Sequence, residues 1–241
     1  MAALGLATLH VVGGHVRRLR VIPRSWMLSA GSGISVAYVF VHLLPELADI
    51  QRQLEETLVQ GWLAYLEIHA WIVALFGLGV FYGLELAARR SRATRAMSGR
   101  PPRETSASTS AGVGWLRLGT YAIYNGIIGY LLTQRASVAS LVFFAVAMGV
   151  HFLVNDYGLR QHHGRLYHAV GRWLLAGGVM AGWAIGGVTD LAPAVLGLLV
   201  AFLAGGVVMN VLKEELPEDR ASRWSPFALA AVLYTALLLA T

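Results

Sequence analysis

The sequence predicts an all-α integral membrane protein, and three observations favour that class. Hydrophobic residues make up 56% of the 241-residue chain and charged residues only 13%, whereas soluble domains carry about 25% charged residues because their surfaces meet water. Apolar stretches of about 20 residues, the length that a helix needs to cross a bilayer, recur along the chain. Basic residues concentrate in alternate connections between these stretches, as in multi-pass membrane proteins.

The apolar stretches define the expected transmembrane helices, since lipid offers no hydrogen-bond partner to an open strand edge. Spans are expected at residues 26–46, 62–87, 114–134, 137–159, 171–189 and 191–212, with a shorter one at 225–241. The opening stretch, residues 2–16, is apolar but short for a span. The prediction is therefore one transmembrane domain over 1–241, with eight helices or with seven preceded by a short first one.

The positions of arginine and lysine predict the orientation of these helices. Of the 19 basic residues, 17 lie on one side of the predicted bilayer, and only Arg52 and Arg135 lie on the other. The basic side is expected to be cytoplasmic, with both termini extracytoplasmic, in a cell membrane such as the bacterial inner membrane. The connection at 89–113 is rich in Arg, Ser, Thr and Pro, and it is predicted to be a disordered cytoplasmic loop. Topology explains the basic charge, so the expected partner is the lipid bilayer and not nucleic acid.

Missing residues and motifs exclude several functional classes. The chain has no cysteine, which excludes disulfide scaffolds, thiolate metal sites and cysteine nucleophiles. It also has no phosphate loop, no HExxH motif and no Ser-His-Asp arrangement in one accessible region. These absences leave a helical membrane protein with a buried polar site, and neither an enzyme nor a required cofactor is expected.

Polar side chains inside the predicted spans are the candidate functional residues, because burying them in lipid is costly. Tyr121 and Asn125 are four residues apart and share a helix face, as do His151 and Asn155. A helix rise of about 1.5 Å per residue places all four in one shallow band near the cytoplasmic side. They are expected to form either a substrate or ion site, or an interhelical hydrogen-bond cluster without a ligand.

Two patterns of small residues predict close packing between helices. Gly126 and Gly129 are expected to let the fourth and fifth predicted spans approach each other. Gly178, Gly182 and Gly186 form a ridge of small residues at a spacing of four on the sixth span. Such ridges let the backbones of membrane helices come into contact.

A second polar group is expected toward the outer face. His42 and Glu46 are four residues apart, a spacing that suits two metal ligands or a proton relay. Glu67 and His69 belong to the next span but are two residues apart, so their side chains cannot point the same way. The group is expected either to line an outer vestibule or to reach the headgroup region.

Three segments carry a resemblance to a known family. The second predicted span reads SAGSGISVAYVFVHLLPEL, the third reads FGLGVFYGLELAARR, and the seventh reads AFLAGGVVMNVLKEELPED. In this order they resemble helices two, three and seven of the ZIP (Zrt/Irt-like) divalent metal transporters. A long cytoplasmic loop after the third helix, and eight helices with both termini outside, are also that family's arrangement. The resemblance covers nearly the whole chain after about residue 20.

The resemblance implies a membrane transporter of a divalent metal cation, zinc or a similar ion, or of another small solute. The metal is then the substrate and not a cofactor, and the chain works alone or as a homodimer. The alternative is a ZIP-like protein that does not transport and acts as a sensor, a scaffold or a partner subunit.

The resemblance also assigns candidate metal-site residues. The family's fourth helix carries a histidine and, four residues later, an acidic ligand; Tyr121 and Asn125 occupy those positions here. Its fifth helix carries a His or Gln ligand and another ligand four residues later, which match His151 and Asn155, with Asp156 next. The intramembrane site is therefore divergent, and His151 is its one retained strong ligand. The candidate metal residues are His151, Asn155, Asp156, Asn125 and Tyr121 in the centre, and His42 and Glu46 in the outer vestibule.

Overall fold

The structure is a computed structural model, and it describes residues 1–12, 24–57, 69–97, 111–212 and 223–240. Every described element is helical, which confirms the all-α class for that part of the chain. The described α-helices are α1 (Ala2–Val12), α2 (Arg24–Tyr38), α3 (Leu44–Thr57), α4 (Ala70–Met97), α5 (Ala111–Leu131), α6 (Val138–Leu166), α7 (Arg172–Gly186), α8 (Pro193–Asn210) and α9 (Trp224–Leu239). Short π-helical turns, Val39–Leu43 and Tyr167–Gly171, join α2 to α3 and α6 to α7.

Four stretches of helix in the described part of the chain are long and apolar enough to cross a membrane. They are Ser29–Gln53, Ala70–Ser91, Val138–Arg160 and Pro193–Asn210. Each overlaps one of the predicted spans, whereas α1 and α9 are apolar but shorter. Length and composition alone define these candidates, so the eight-helix bundle stays a prediction.

The helix that was expected to end at residue 46 continues to Thr57. Pro45 has no N–H to donate, and in a regular α-helix its ring would clash with a carbonyl of the preceding turn. The π-helical turn Val39–Leu43 precedes it, and the N–H of Leu44 donates to the carbonyl of Val39. One wide turn thus accommodates the proline. The helix does not end at residue 46 as expected.

Both ends of the predicted 89–113 loop are helical. Helix α4 continues through residues 89–97, and α5 already includes residues 111–113. Nε of Arg89 donates to the carboxylate of Glu85 at 3.0 Å, and such pairs one turn apart stabilise a helix. Helix therefore extends into both ends of the predicted loop, and for 98–110 the prediction of disorder lies outside the described residues.

The described residues form two compact units. Unit 1 comprises the described residues of Met1–Arg20 and Tyr82–Val188, and unit 2 those of Val21–Phe81 and Thr189–Thr241. Helix α4 contributes its first part to unit 2 and its last part to unit 1. The single transmembrane domain over 1–241 stays a prediction.

Glycine contacts hold α5 against α7 in unit 1. A Cβ on Gly182 would overlap the carbonyl oxygen of Gly126, and a Cβ on Gly178 would overlap that of Ala122. A Cβ on Gly129 would meet the carbonyl of Val179 in the same way. Because both sets of residue numbers rise together, the two helices run parallel. The two predicted glycine patterns therefore face each other, and the expectation that Gly126 and Gly129 contact the fifth span is wrong.

A buried ion pair adds to the packing of unit 1. Nη2 of Arg117, on α5, lies 3.1 Å from Oε2 of Glu85, on α4, and both side chains are buried. Arg117 was counted with the cytoplasmic residues in the prediction of orientation. Its guanidinium is buried in the unit and neutralises the Glu85 carboxylate, which would otherwise be costly to bury. The prediction of orientation is unaffected by this contact.

Unit 2 is held together by similar close approaches. A Cβ on Gly33 of α2 would overlap the carbonyl of Phe227 on α9, and one on Gly205 of α8 would overlap that of Ala74 on α4. The backbone N–H of Arg223 also donates to Oγ of Ser29 at 2.9 Å. Within each unit, small residues at the contacts thus bring neighbouring helix backbones close together.

Candidate functional site

Helix α1 brings a histidine into the interior of unit 1. Its buried residues are Ala3, Leu6, Ala7 and His10, a spacing of three to four that marks one helix face. This face packs on α6 and α7. A Cβ on Gly149 of α6 would lie only 3.1 Å from Cδ1 of Leu9, so the absence of a side chain at this position lets α1 approach.

The side chains of His10, Asp156 and Asn125 form a buried cluster, here called the His10 cluster. Nδ1 of His10 lies 3.0 Å from both carboxylate oxygens of Asp156. On the other side of the ring, Nδ2 of Asn125 lies 2.9 Å from Nε2 of His10. All three side chains are buried. Helices α1, α5 and α6 each contribute one of them.

The hydrogen bonds of Asn125 define the tautomer of His10. Nδ2 of Asn125 also donates to the carbonyl of Leu175, at 3.4 Å. A flipped amide would place its oxygen against that carbonyl, so the amide nitrogen must face His10. Nε2 of His10 therefore accepts, the ring proton is on Nδ1, and His10 donates it to Asp156. The cluster holds a neutral imidazole and a carboxylate, with one negative charge.

The helical path from α6 to α7 must bend strongly next to this cluster. Nineteen residues separate Asp156 from Leu175, and a straight helix of that length would span about 28 Å. Three consecutive hydrogen bonds, through His10 and Asn125, join the two residues over a much shorter distance. Residues 161–166, predicted to belong to a loop, are helical, and the π-helical turn Tyr167–Gly171 follows them.

Tyr167 closes the His10 cluster at this bend. Its hydroxyl donates to the backbone carbonyl of His10 at 3.2 Å. Burial, followed by the negative charge of Asp156, raises the pKa of Tyr167 above its ordinary value, although the positive charges of Arg160 and Arg172 act in the opposite direction. The phenol therefore stays protonated and remains a hydrogen-bond donor.

A second buried cluster, here called the His151 cluster, consists of His151, Asn155 and Tyr124. Nε2 of His151 lies 2.8 Å from Nδ2 of Asn155 and 3.2 Å from the hydroxyl of Tyr124. The ring of Tyr121 packs edge-on against that of Tyr124, with centroids 6.3 Å apart. The structure thus places Tyr121, His151 and Asn155 along one continuous set of contacts.

The predicted central residues are all buried in unit 1, but their contacts divide them between the two clusters. Asn125 and Asp156 contact His10, whereas Asn155 contacts His151. The ring of Phe152, next to His151 in the sequence, packs on the ring of His10 at 4.5 Å. In the part of the chain that the structure describes, no three His, Asp or Glu side chains come close enough to hold one metal ion.

The predicted outer pair lies in unit 2. Nε2 of His42 lies 3.9 Å from Oε2 of Glu46, and the ring of Tyr38 lies 5.3 Å from that of His42. The spacing of four residues does place the pair on one face. His69 is half-buried, and Glu67 lies outside the described residues.

Sequence reasoning missed His10, Tyr124 and Tyr167. A signal for His10 was present, because it continues the face formed by Ala3, Leu6 and Ala7 and is the one strongly polar residue on that face. The two tyrosines gave no such signal, since a tyrosine in an apolar helix commonly packs in a core.

Comparison with known proteins adds no relative: no family model, curated protein or solved structure matches this chain. The fold and the site define a class only. The described chain is an all-helical protein with four helices that are long and apolar enough for a membrane, and with ionisable groups buried between helices of unit 1.

Proposed function

We propose that the protein is a multi-pass transporter of the cell membrane, ZIP-like in architecture, that carries a divalent metal cation or another small solute. The arginine-rich connections are cytoplasmic and the termini extracytoplasmic. Support comes from the four apolar helices and from the order of sequence motifs that resembles the ZIP family. The substrate contacts the His10 cluster and the His151 cluster.

The buried pair of His10 and Asp156 carries this proposal. Each side chain is only 1% exposed, although a carboxylate in an apolar helix is costly to bury. Ionisable residues placed inside membrane helices commonly form substrate, ion or proton sites. The carboxylate provides the negative charge that favours a cation, and imidazole and carboxylate are suitable ligands for zinc-like ions.

The hydrogen bonds of His10 predict how a metal ion would enter. Both ring nitrogens are already engaged, Nδ1 with Asp156 and Nε2 with Asn125. A metal ion can bind the imidazole only where a lone pair is free, so it must displace Asn125 or remove the proton from Nδ1. Displacing Asn125 also breaks its bond to the carbonyl of Leu175. Substrate binding would thereby be coupled to the contact between α5 and α7.

Transport can be measured with the full-length protein in liposomes loaded with a metal-sensitive dye. We expect uptake of Zn²⁺, Cd²⁺ or Mn²⁺ by the wild type and a loss of at least about tenfold in Asp156→Asn, which removes the charged ligand. Asp190→Asn is the matched control, because Asp190 is an exposed carboxylate of the connection between α7 and α8. Equal uptake by both variants would exclude the His10 cluster from the pathway.

The orientation has its own test, which the cysteine-free chain makes simple. Cysteines introduced by Ser106→Cys and Thr241→Cys should react oppositely with an impermeant thiol reagent in intact cells. We expect labelling at position 241 only. Labelling at position 106 from outside would reverse the proposed orientation.

The second candidate is a ZIP-like protein that does not transport and acts as a sensor, a scaffold or a partner subunit. One observation favours it: within the described residues, no three strong ligands gather around one point. The liposome experiment separates the two, because a sensor would bind the metal without flux. Binding that depends on Asp156, without uptake of any of the three ions, would select this candidate.

A further inference from the structure

The bend between α6 and α7 carries two arginines, one on each side of the π-helical turn Tyr167–Gly171. The guanidinium carbon of Arg160 lies 5.8 Å from the centre of the Tyr167 ring, and that of Arg172 lies 5.2 Å from the Trp173 ring. Trp173 itself is 55% exposed. Arg160 is also the last residue of the candidate span Val138–Arg160. An exposed tryptophan beside the end of an apolar helix is typical of the membrane–water interface.

Within the part of the chain that the structure describes, each of these arginines has a buried nitrogen without a hydrogen-bond partner. Among the described residues, no group accepts from Nη1 of Arg160 or from Nε of Arg172. An unsatisfied buried donor costs free energy, and the cost is larger for a charged group. An acceptor that the described residues do not supply would remove this cost at either donor.

The charges around the turn favour an anion. The guanidinium groups of Arg160 and Arg172 both act on the hydroxyl of Tyr167, as does the carboxylate of Asp156. Both oxygens of Asp156 face Nδ1 of His10 at 3.0 Å, so this carboxylate is engaged in the His10 cluster. Two positive charges remain against one negative charge.

We propose that Arg160 and Arg172 together bind a phosphate group at this turn, from the headgroup of an anionic phospholipid or from free phosphate. A planar guanidinium matches the spacing of phosphate oxygens and can donate two parallel hydrogen bonds. Two guanidinium groups, one from each side of the turn, would hold the last turns of α6 against the start of α7. This site is separate from the transport proposal, since it requires no substrate in either buried cluster.

Thermal unfolding of the full-length protein in a neutral detergent tests the proposal. Three additions are compared: phosphatidylglycerol, phosphatidylcholine and inorganic phosphate. We expect phosphatidylglycerol to raise Tm by about 5 °C at a hundredfold excess over its Kd. The double variant Arg160→Gln with Arg172→Gln should lose this shift. Arg90→Gln, which changes an exposed arginine of α4, should keep it.

The other outcomes identify the source of the phosphate or overturn the proposal. An arginine-dependent shift with inorganic phosphate but not with phosphatidylglycerol would identify free phosphate as the ligand. Equal shifts in the wild type and the double variant, or no shift with any addition, would overturn the site. Arg172→Lys covers the case of a double variant that does not fold, because it keeps the charge but loses the paired donors. We expect this variant to bind phosphatidylglycerol about tenfold more weakly than the wild type.

Discussion

Among the described residues, each unit contains one contact between a histidine and an acidic residue, and the two pairs are built in opposite ways. His10 and Asp156 are 146 residues apart in the sequence and belong to different helices. Nδ1 of His10 lies 3.0 Å from the Asp156 carboxylate, and each side chain is only 1% exposed. His42 and Glu46 lie one turn apart on one helix, at 3.9 Å, and are 36% and 26% exposed. A histidine and an acidic residue thus form a buried tertiary contact in unit 1 and a half-exposed local contact in unit 2.

This difference in burial determines how much each pair contributes to stability. A partly exposed pair gains little, because solvent screens it and its side chains must be held in one geometry. A fully buried pair is costly to break, since the remaining partner is left without compensation in an apolar interior. Stability therefore depends more on the contact between His10 and Asp156 than on the contact between His42 and Glu46.

The largest expected effect comes from removing the histidine of each pair. His10→Ala should lower the free energy of unfolding by about 3–5 kcal/mol, because it leaves Asp156 buried and unpaired. His42→Ala should lower it by less than about 1 kcal/mol. Chemical denaturation in detergent, followed by circular dichroism, measures both values.

A second substitution separates loss of the pair from loss of packing. In Asp156→Asn the shape is kept and the charge is removed, so adding it to His10→Ala should recover part of the lost stability. Similar losses for His10→Ala and His42→Ala would show that burial does not distinguish the two pairs.

The comparison also explains how much of the fold could be predicted. Apolar length predicted helices that overlap the four membrane candidates, and spacing by four residues placed His42 with Glu46. Both signals are local in the sequence. The continuation of the helix past Pro45 depends on one wide turn, and the pairing of the two glycine patterns depends on which helices are neighbours. Neither property leaves a local pattern.

A larger part of the site was beyond sequence reasoning. Helix periodicity places Asn125 and His151 on their own helix faces, but it cannot tell which histidine an amide meets across the interior. Asn125 and His10 are 115 residues apart in the sequence. The stretch that contains His10 had been considered only as a short first span. The polar residues of the fourth and fifth spans could be found from their cost in lipid; the division into two clusters could not.

The next prediction concerns metal binding at the His10 cluster. Asn125→Asp would place a carboxylate beside Nε2 of His10, while Asp156 stays on the other side of the ring and accepts from Nδ1. A histidine that binds a metal ion commonly donates its other ring N–H to a carboxylate in this way. We expect Zn²⁺ or Cd²⁺ to bind at least about tenfold more tightly than to the wild type, a gain of about 1.4 kcal/mol. Isothermal titration calorimetry on the purified protein measures this affinity.

The matched control is Asn155→Asp, which adds a carboxylate beside His151, where Asn155 and Tyr124 are the contacts. Its gain in affinity should be smaller, because the carboxylate of Asp156 supports the imidazole of His10 and not that of His151. Equal gains for the two variants would mean that the clusters share one metal position. No gain for Asn125→Asp would mean that a carboxylate beside Nε2 does not make His10 a metal ligand.

The smallest effect concerns the hydroxyl that fixes α1 against the bend. Tyr167→Phe removes the donor to the carbonyl of His10, a bond of 3.2 Å between buried groups. We expect a loss of about 1 kcal/mol in the free energy of unfolding, the usual contribution of one such hydrogen bond. Tyr82→Phe, at an exposed tyrosine of α4, should change stability by less than about 0.5 kcal/mol. If Tyr167 contributes to stability only through its ring, both variants will change the free energy of unfolding equally little. If its hydroxyl holds α1 in place, Tyr167→Phe should also make the backbone amides of α1 exchange faster with solvent. The amides of α5 and α7 should keep their protection.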